Sequence, residues 1–206
     1  MSGERVEFFY DLSSPWTYIA FHNLDVLIAR TGVSVRLRPI LVGGVFNAVN
    51  PSVYAAREAA DNPKFKHSWR VMRDWAKLAG VEINFPSIYH PAKSIHAMRM
   101  ACSLAGDQVA LKTFSKAAFE SYFSAQENLD DPDVLVAVAN KAGLDGEAMR
   151  TAAQTDAVKA LLRANTDEVI ARGGYGSPTI FVDTDKMYFG NDQLPLVEFA
   201  LNRSEA

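Results

Sequence analysis

The start of the chain restricts the fold more than any other part, because it alternates between strand, helix and strand patterns. Residues 5–10 are mostly β-branched and aromatic, which is typical of a largely buried strand. Ser14 and Pro15 are a natural cap and first residue of a helix, and Gly32 ends the helical periodicity. Residues 33–41 alternate apolar and polar side chains and predict a second strand. A connection of this length predicts a parallel, right-handed βαβ unit.

The centre of the chain has a different pattern, and the end returns to strands. From about residue 46 to residue 170 the periodicity is mainly helical, interrupted by a short extended piece at 81–86. Helices are predicted near residues 64–79, 92–105, 107–125, 132–142, 146–153 and 155–172. Residues 179–189 then predict a β-hairpin that turns at 183–186, and a last helix follows 190–192.

The resulting order of elements is βαβ, a helical block, and αββα. A βαβ unit and a ββα unit joined by a helix form a thioredoxin-like α/β fold, a mixed sheet with helices on both faces. Here the two halves must close one sheet across a large all-helical insertion. We expect a discontinuous thioredoxin-like domain of residues 1–45 and 166–206, and a helical insertion domain of residues 46–165.

Composition excludes several classes of function. The chain has 206 residues and a formal net charge of −3, so nothing indicates nucleic-acid binding. No apolar run is long enough for a membrane span, and no secretory signal is recognisable. Cys102 is the single cysteine, which excludes an internal disulfide and a CxxC redox pair. The lack of disulfides favours a reducing compartment, so we expect a cytoplasmic location. The histidines lack metal-ligand spacing, so we expect no metal site.

Three places could carry chemistry in such a sheet, and each has a plain structural alternative. Ser14 lies at a helix N-terminus that would stabilise an anion such as a thiolate, or is only a cap. Pro178 follows Ser177 in a loop that would face this helix; a cis peptide there would expose the backbone of Ser177 to a peptide-like ligand, and an ordinary turn is the alternative. Asp192 starts the last helix and would hold an ammonium group or only cap the helix.

Several short motifs in one order carry a family resemblance. They include FYDLSSPWTY at residues 9–18, GGVF at 43–46, GSPT at 176–179 and FGND at 189–192. This set resembles the glutathione-dependent 2-hydroxychromene-2-carboxylate isomerases and the kappa-class glutathione transferases. Both belong to the thioredoxin-fold superfamily of the bacterial disulfide oxidoreductases, whose members carry a helical insertion.

The resemblance implies glutathione as cofactor and assigns roles around its sulfur. Ser14 matches the family's catalytic serine, which hydrogen-bonds the glutathione sulfur. Ser13 lies one residue before that position and does not match it. Ser177, before Pro178, matches the residue whose backbone pairs with the cysteinyl unit. That position is commonly valine or leucine in the family, so serine is a departure.

The resemblance also implies contacts to the rest of glutathione. Asn50 and Lys64 match contact positions in the helical insertion. Asn191 and Asp192 match the pair that receives the γ-glutamyl end.

The function implied is that of a glutathione-dependent isomerase in aromatic catabolism. Its substrate would be a small aromatic or unsaturated carboxylate, and the chain would be a homodimer. A kappa-like transferase acting on electrophiles shares the first chemical step and stays open. A thioredoxin-fold binding module without catalysis is the alternative from another class.

Overall fold

Strand β1 lies at the centre of a mixed sheet. In the computed structural model, which describes residues 5–53 and 62–203, β1 (Val6–Tyr10) pairs in parallel with β2 (Val35–Pro39). On its other side β1 pairs antiparallel with β3 (Thr179–Val182), which forms a hairpin with β4 (Lys186–Phe189). The strand order is β2-β1-β3-β4. The two ends of the chain therefore share one sheet, as predicted.

The helices of the described residues follow the predicted pattern closely. They are α1 (Pro15–Thr31), α2 (Val42–Val49), α3 (Pro63–Ala79), α4 (Ile95–Ser103), α5 (Gln108–Phe123), α6 (Pro132–Lys141), α7 (Gly146–Ala152), α8 (Asp156–Ala171) and α9 (Leu194–Arg203). A short 3₁₀ turn, Asn191–Gln193, precedes α9. The boundary predicted between insertion and sheet domain, 165/166, falls within α8, and residues 54–61 of the predicted insertion lie outside the described residues.

Local capping explains where most of these helices begin. Side chains at the N-caps accept hydrogen bonds from backbone N–H groups of the first turn at Ser14, Asn62, Asp107, Asp131, Asp145 and Thr155. Gly32 ends α1 with φ 66°, a left-handed conformation that side chains other than glycine rarely adopt.

The core lies on both faces of the sheet because β1 alternates its side chains between them. Phe8 and Tyr10 belong to a large cluster that includes residues of α1, α5 and α9. Phe9 belongs to a second cluster with Phe181 and with Val169 of α8. A strand buried on both faces is what the nearly continuous apolar pattern of residues 5–10 predicts.

One segment differs from the sequence prediction, and the short extended piece predicted at 81–86 stays outside the sheet. Gly43 and Gly44 lie inside α2, although glycine disfavours helix. A Cβ on Gly44 would lie 3.2 Å from the Thr166 side chain, so glycine allows α2 to pack closely on α8. Residues 81–86 form no strand and belong to no sheet of the described chain.

Candidate active site

Ser14 caps α1 and places its hydroxyl at the helix N-terminus. Its backbone is extended (φ −96°, ψ 119°), and its Oγ accepts a hydrogen bond from the Thr17 N–H at 3.2 Å. Pro15 fills the first helical position, where a missing N–H costs nothing. The first turn of α1 contains no acidic side chain. The positive end of the helix dipole therefore favours an anion beside Ser14 Oγ.

The loop before β3 meets the start of α1 at Ser14. The Ser177–Pro178 peptide bond is cis, an isomer that the sequence left open. The Ser14 hydroxyl donates to the Ser177 carbonyl at 3.2 Å. A ligand sulfur beside Ser14 would have to take this hydrogen bond in place of the carbonyl.

The side chain of Ser177 has a structural role that the sequence did not indicate. Its buried Oγ accepts from the Asp11 N–H at 2.9 Å and lies 2.8 Å from Thr17 Oγ1. The valine or leucine that the resemblance leads us to expect here would leave the Asp11 N–H without this acceptor, and an unsatisfied buried donor is costly. Thr17 and Ser177 therefore form a matched polar pair behind Ser14.

A cleft of about 360 Å³ opens beside the N-terminus of α1. Aromatic rings form much of its wall: the ring centroids of Phe65 and Trp69 are 5.0 Å apart, and those of Trp69 and Phe85 are 5.4 Å apart. A second pair in the wall, Tyr175 and Phe189, has centroids 4.4 Å apart. A concave, mainly apolar site with few polar groups suits a small ligand that carries a planar ring.

The structure places Asn50 in the cleft wall and Lys64 outside it. Asn50 is the C-cap of α2, and its Nδ2 donates to the Tyr175 carbonyl at 3.3 Å, which joins α2 to the loop before β3. Lys64 lies in the first turn of α3 with an exposed side chain, next to Phe65, which lines the cleft.

The pair predicted for the γ-glutamyl end does not line the cleft. Asn191 is 1% exposed; its Oδ1 accepts from Asn23 Nδ2 at 2.8 Å, and it lines a separate cavity of about 140 Å³. Asp192 is exposed. The segment is held near the cis loop, because the Gly190 N–H donates to the Pro178 carbonyl at 3.1 Å. The structure thus brings together Ser14, Asn50 and Ser177, and the ligand contacts of all these residues stay predictions.

Asp11 is a buried carboxyl group that the sequence analysis missed. Oδ1 accepts from the Ser13 N–H and from Ser13 Oγ, both at 2.8 Å, and Oδ2 accepts from the Val42 N–H at 2.8 Å and from Ser94 Oγ at 3.0 Å. Burial raises the pKa of this carboxyl group, although the hydrogen bonds oppose the shift. An acidic residue directly after a buried apolar strand was the signal that could have singled it out.

A smaller cavity of about 240 Å³ shares Ser13 and His90 with the cleft. Lys93 and Ser94 line it, as do Gly43 and Gly44 at the start of α2. Asp11 therefore contacts residues in the walls of both cavities.

The protein has no thiol of its own at this site, because its single cysteine lies elsewhere. Cys102 lies in α4, is 2% exposed, and burial raises the pKa of its thiol to about 12. The resemblance aligns residues 14–17 with the CxxC motif of the bacterial disulfide oxidoreductases, and here Ser14 and Thr17 stand at the two cysteine positions. Thiol–disulfide exchange through this motif needs a thiolate that these residues cannot provide.

Known proteins with this architecture are similar to the chain along nearly its whole length. A 2-hydroxychromene-2-carboxylate isomerase of Sphingobium xenophagum is 28% identical over 195 residues, covering 95% of this chain and 96% of the relative. The human glutathione S-transferase kappa 1 is 26% identical over 210 residues, which cover 95% of this chain and 90% of the relative. A solved structure of a 2-hydroxychromene-2-carboxylate isomerase superposes with a TM-score of 0.81 at 25% identity, covering 96% of this chain and 94% of the other.

These similarities confirm the resemblance seen in the sequence and the thioredoxin-like fold. No helix within residues 5–53 and 62–203 combines the length and the apolar character needed to cross a membrane. Residues 5–202 match the family described as the DSBA-like thioredoxin domain. The chain belongs to this family.

Proposed function

We propose that the chain is a glutathione-dependent isomerase that interconverts 2-hydroxychromene-2-carboxylate and trans-o-hydroxybenzylidenepyruvate. The observation that carries the proposal is the Ser14 hydroxyl at the N-terminus of α1. It is hydrogen-bonded to the Ser177 carbonyl and stands at the position where a CxxC motif would supply a thiol. Relatives that bear the isomerase name, and that match almost end to end, support the choice of substrate.

The residues present fit glutathione. The Ser14 hydroxyl could donate to the sulfur by giving up its hydrogen bond to the Ser177 carbonyl. The backbone of Ser177 would then be free to pair with the cysteinyl unit. Asn50 already lines the cleft. Lys64 and Asp192 lie outside the cleft with exposed side chains, and they would bind the carboxylate and ammonium ends only where these project from it.

When bound, glutathione would supply a thiolate that adds to the conjugated double bond of the substrate and leaves after rotation about the resulting single bond. A free thiol has a pKa of about 8.5, so only a few per cent is ionised at neutral pH. Ser14 would donate a hydrogen bond to the charged sulfur, and the N-terminus of α1 would add a favourable dipole. A depression of the pKa by about one or two units makes the thiolate a large fraction.

The aromatic wall would hold the planar ring of the substrate. Phe65, Trp69 and Phe85 meet at tilted or edge-to-face angles and enclose apolar space. Rings in such a wall bind another ring through offset or edge contacts. Asn50 and Ser68 offer polar groups in the same cleft.

A kappa-like transferase that conjugates electrophiles is the second candidate. It is favoured by the human relative named as a kappa transferase, which covers nearly the whole chain. The two reactions share the activated sulfur and differ in whether glutathione is consumed. Turnover of 2-hydroxychromene-2-carboxylate, followed spectrophotometrically beside a standard electrophile conjugation assay, separates them.

Binding of glutathione distinguishes both enzymes from a non-catalytic module. A ligand that binds only the folded state raises its stability by mass action, by about 2.7 kcal/mol at a hundredfold excess over Kd. We expect the melting temperature to rise with millimolar glutathione. No shift would contradict the proposal and favour a binding module.

The cellular setting follows from the same proposal. We propose that the enzyme acts in the catabolism of naphthalene-type aromatic compounds, in the cytoplasm and as a homodimer. Light scattering of the purified chain tests the homodimer, and a monomeric mass would contradict it.

A further inference from the structure

Asp11 has no part in the proposed function, yet it contacts several of the segments that meet beside Ser14. Its carboxyl group holds the turn at Ser13, the start of α2 at Val42 and the segment before α4 at Ser94. Its N–H donates to Ser177 Oγ, and its carbonyl accepts from the Ser14 N–H at 3.3 Å. A polar group with so many partners is placed by the fold with little freedom.

The charge of Asp11 has no cation to balance it within the described chain. The side chain is 0% exposed, and no lysine or arginine of the described residues forms an ion pair with it. Hydrogen bonds from two backbone N–H groups and two serine hydroxyls compensate the carboxylate instead. A thiolate beside Ser14 would be a second anion three residues along the chain. Like charges in one poorly solvated site disfavour ionisation of both groups.

We propose that Asp11, acting through the Ser13 hydroxyl, retains the proton that the glutathione thiol loses in the site. Ser13 lines the cleft and donates to Asp11 Oδ1 at 2.8 Å. In the transfer the S–H bond breaks, and the proton bonds to Ser13 Oγ. The original Ser13 proton passes to Asp11 Oδ1. Ser13 stays neutral, the sulfur gains the negative charge and Asp11 loses it, so the site keeps one negative charge throughout.

The carboxyl group can accept this proton without losing its hydrogen bonds. A protonated Oδ1 still accepts from the Ser13 N–H while donating to Ser13 Oγ. Tyr10 is the neighbouring titratable group in β1, and burial raises its pKa, so it stays neutral. His90 and Lys93, on the segment that supplies Ser94, line the adjoining cavity. Burial of Asp11 raises its pKa, which makes the carboxylate a better proton acceptor than an exposed one.

The number of protons released to the buffer on binding tests this inference, which rests on the proposed function. Glutathione is titrated into the full chain at neutral pH in buffers of different ionisation enthalpy, and ultraviolet absorbance reports the thiolate formed. S-methylglutathione, which has no thiol proton, corrects for other groups. We expect thiolate formation with release of well under half a proton per thiolate. Release of about one proton per thiolate would overturn the inference and leave the proposed function standing, whereas no binding or no thiolate would overturn both.

Two variants locate the proton. Ser13→Ala removes the link and leaves both backbone hydrogen bonds to Asp11, so we expect about one proton to be released per thiolate. Asp11→Asn removes the acceptor and gives the same expectation if the variant folds. Ser103→Ala removes a hydroxyl at the end of α4, outside the cleft, and should behave like the unmodified chain. Proton release by Ser13→Ala as low as in the unmodified chain would overturn the route through Ser13.

Discussion

Replacing Asp11 by asparagine keeps the shape of a fully buried side chain but removes an acceptor that the structure requires. Each carboxyl oxygen accepts one backbone N–H, from Ser13 on one side and from Val42 on the other. An amide has one accepting oxygen, and its NH₂ group only donates. Either orientation of the asparagine therefore leaves one of these N–H groups facing another donor, whereas the hydroxyls of Ser13 and Ser94 can rotate to accept.

The magnitude depends on pH, and its sign follows from the direction of the Asp11 pKa shift. One unsatisfied buried donor costs about 1–3 kcal/mol. We expect Asp11→Asn to be destabilised by this amount near pH 4, where Asp11 contributes most to stability. Burial raises the pKa of Asp11 in the folded state, so the folded chain binds this proton more tightly than the unfolded chain. The stability that Asp11 contributes is therefore present in acid and is lost as pH rises through its folded-state pKa. The advantage over asparagine should shrink by at most about 1.4 kcal/mol per pH unit.

Urea unfolding of both chains between about pH 4 and pH 8 measures this difference, and contributions of other titrating groups cancel in it. Asp107→Asn provides the control, because Asp107 is an exposed N-cap of α5 and asparagine caps almost equally well. A penalty for Asp11→Asn that grows with pH would refute the raised pKa. The absence of any penalty near pH 4 would refute the hydrogen-bond argument.

Ser14→Ala removes a donor to the developing charge and should lower turnover by about 100-fold or more. Its unfolding free energy should fall by only about 0.5–2 kcal/mol, the usual cost of losing an N-cap. Thr155→Ala removes the cap of α8 and should lower stability by a similar amount without loss of turnover. Equal turnover in the two variants would contradict the role of Ser14. Ser177→Val leaves the Asp11 N–H without its acceptor, so urea unfolding should show a loss of about 1–3 kcal/mol, and an unchanged midpoint would contradict the pairing. Trp69→Ala removes one ring of the cleft wall and with it one aromatic contact to the substrate, worth about 1 kcal/mol. The KM for an aromatic substrate should rise about fivefold, with little change in glutathione affinity. Equal losses of affinity for both ligands would contradict a separate ring-binding wall.

The local patterns were enough to predict the sheet and most helices. Alternating or continuous apolar residues mark β1, β2 and β3, and serine or aspartate before proline marks the starts of α1 and α6. The start of α2 was not predictable, because Gly43 and Gly44 oppose helix locally. Their advantage, close packing of α2 on Thr166, appears only in the folded chain.

The candidate site was predictable only where its signals lie close together in the chain. Ser14 and Pro15 form a local helix-start signal, and the resemblance linked them to Ser177. The partners of Asp11 could not be inferred in this way, since Val42 and Ser94 lie 31 and 83 residues away. The pairing of Ser177 with Thr17 spans 160 residues and likewise needs the assembled fold.

The most direct measurement is the pKa of the glutathione thiol in the complex, followed by the ultraviolet absorbance of the thiolate. A value about one or two units below the free thiol's 8.5 is expected, together with a return toward 8.5 in Ser14→Ala. A bound thiol that titrates near 8.5, or one that Ser14→Ala leaves unchanged, would contradict the account.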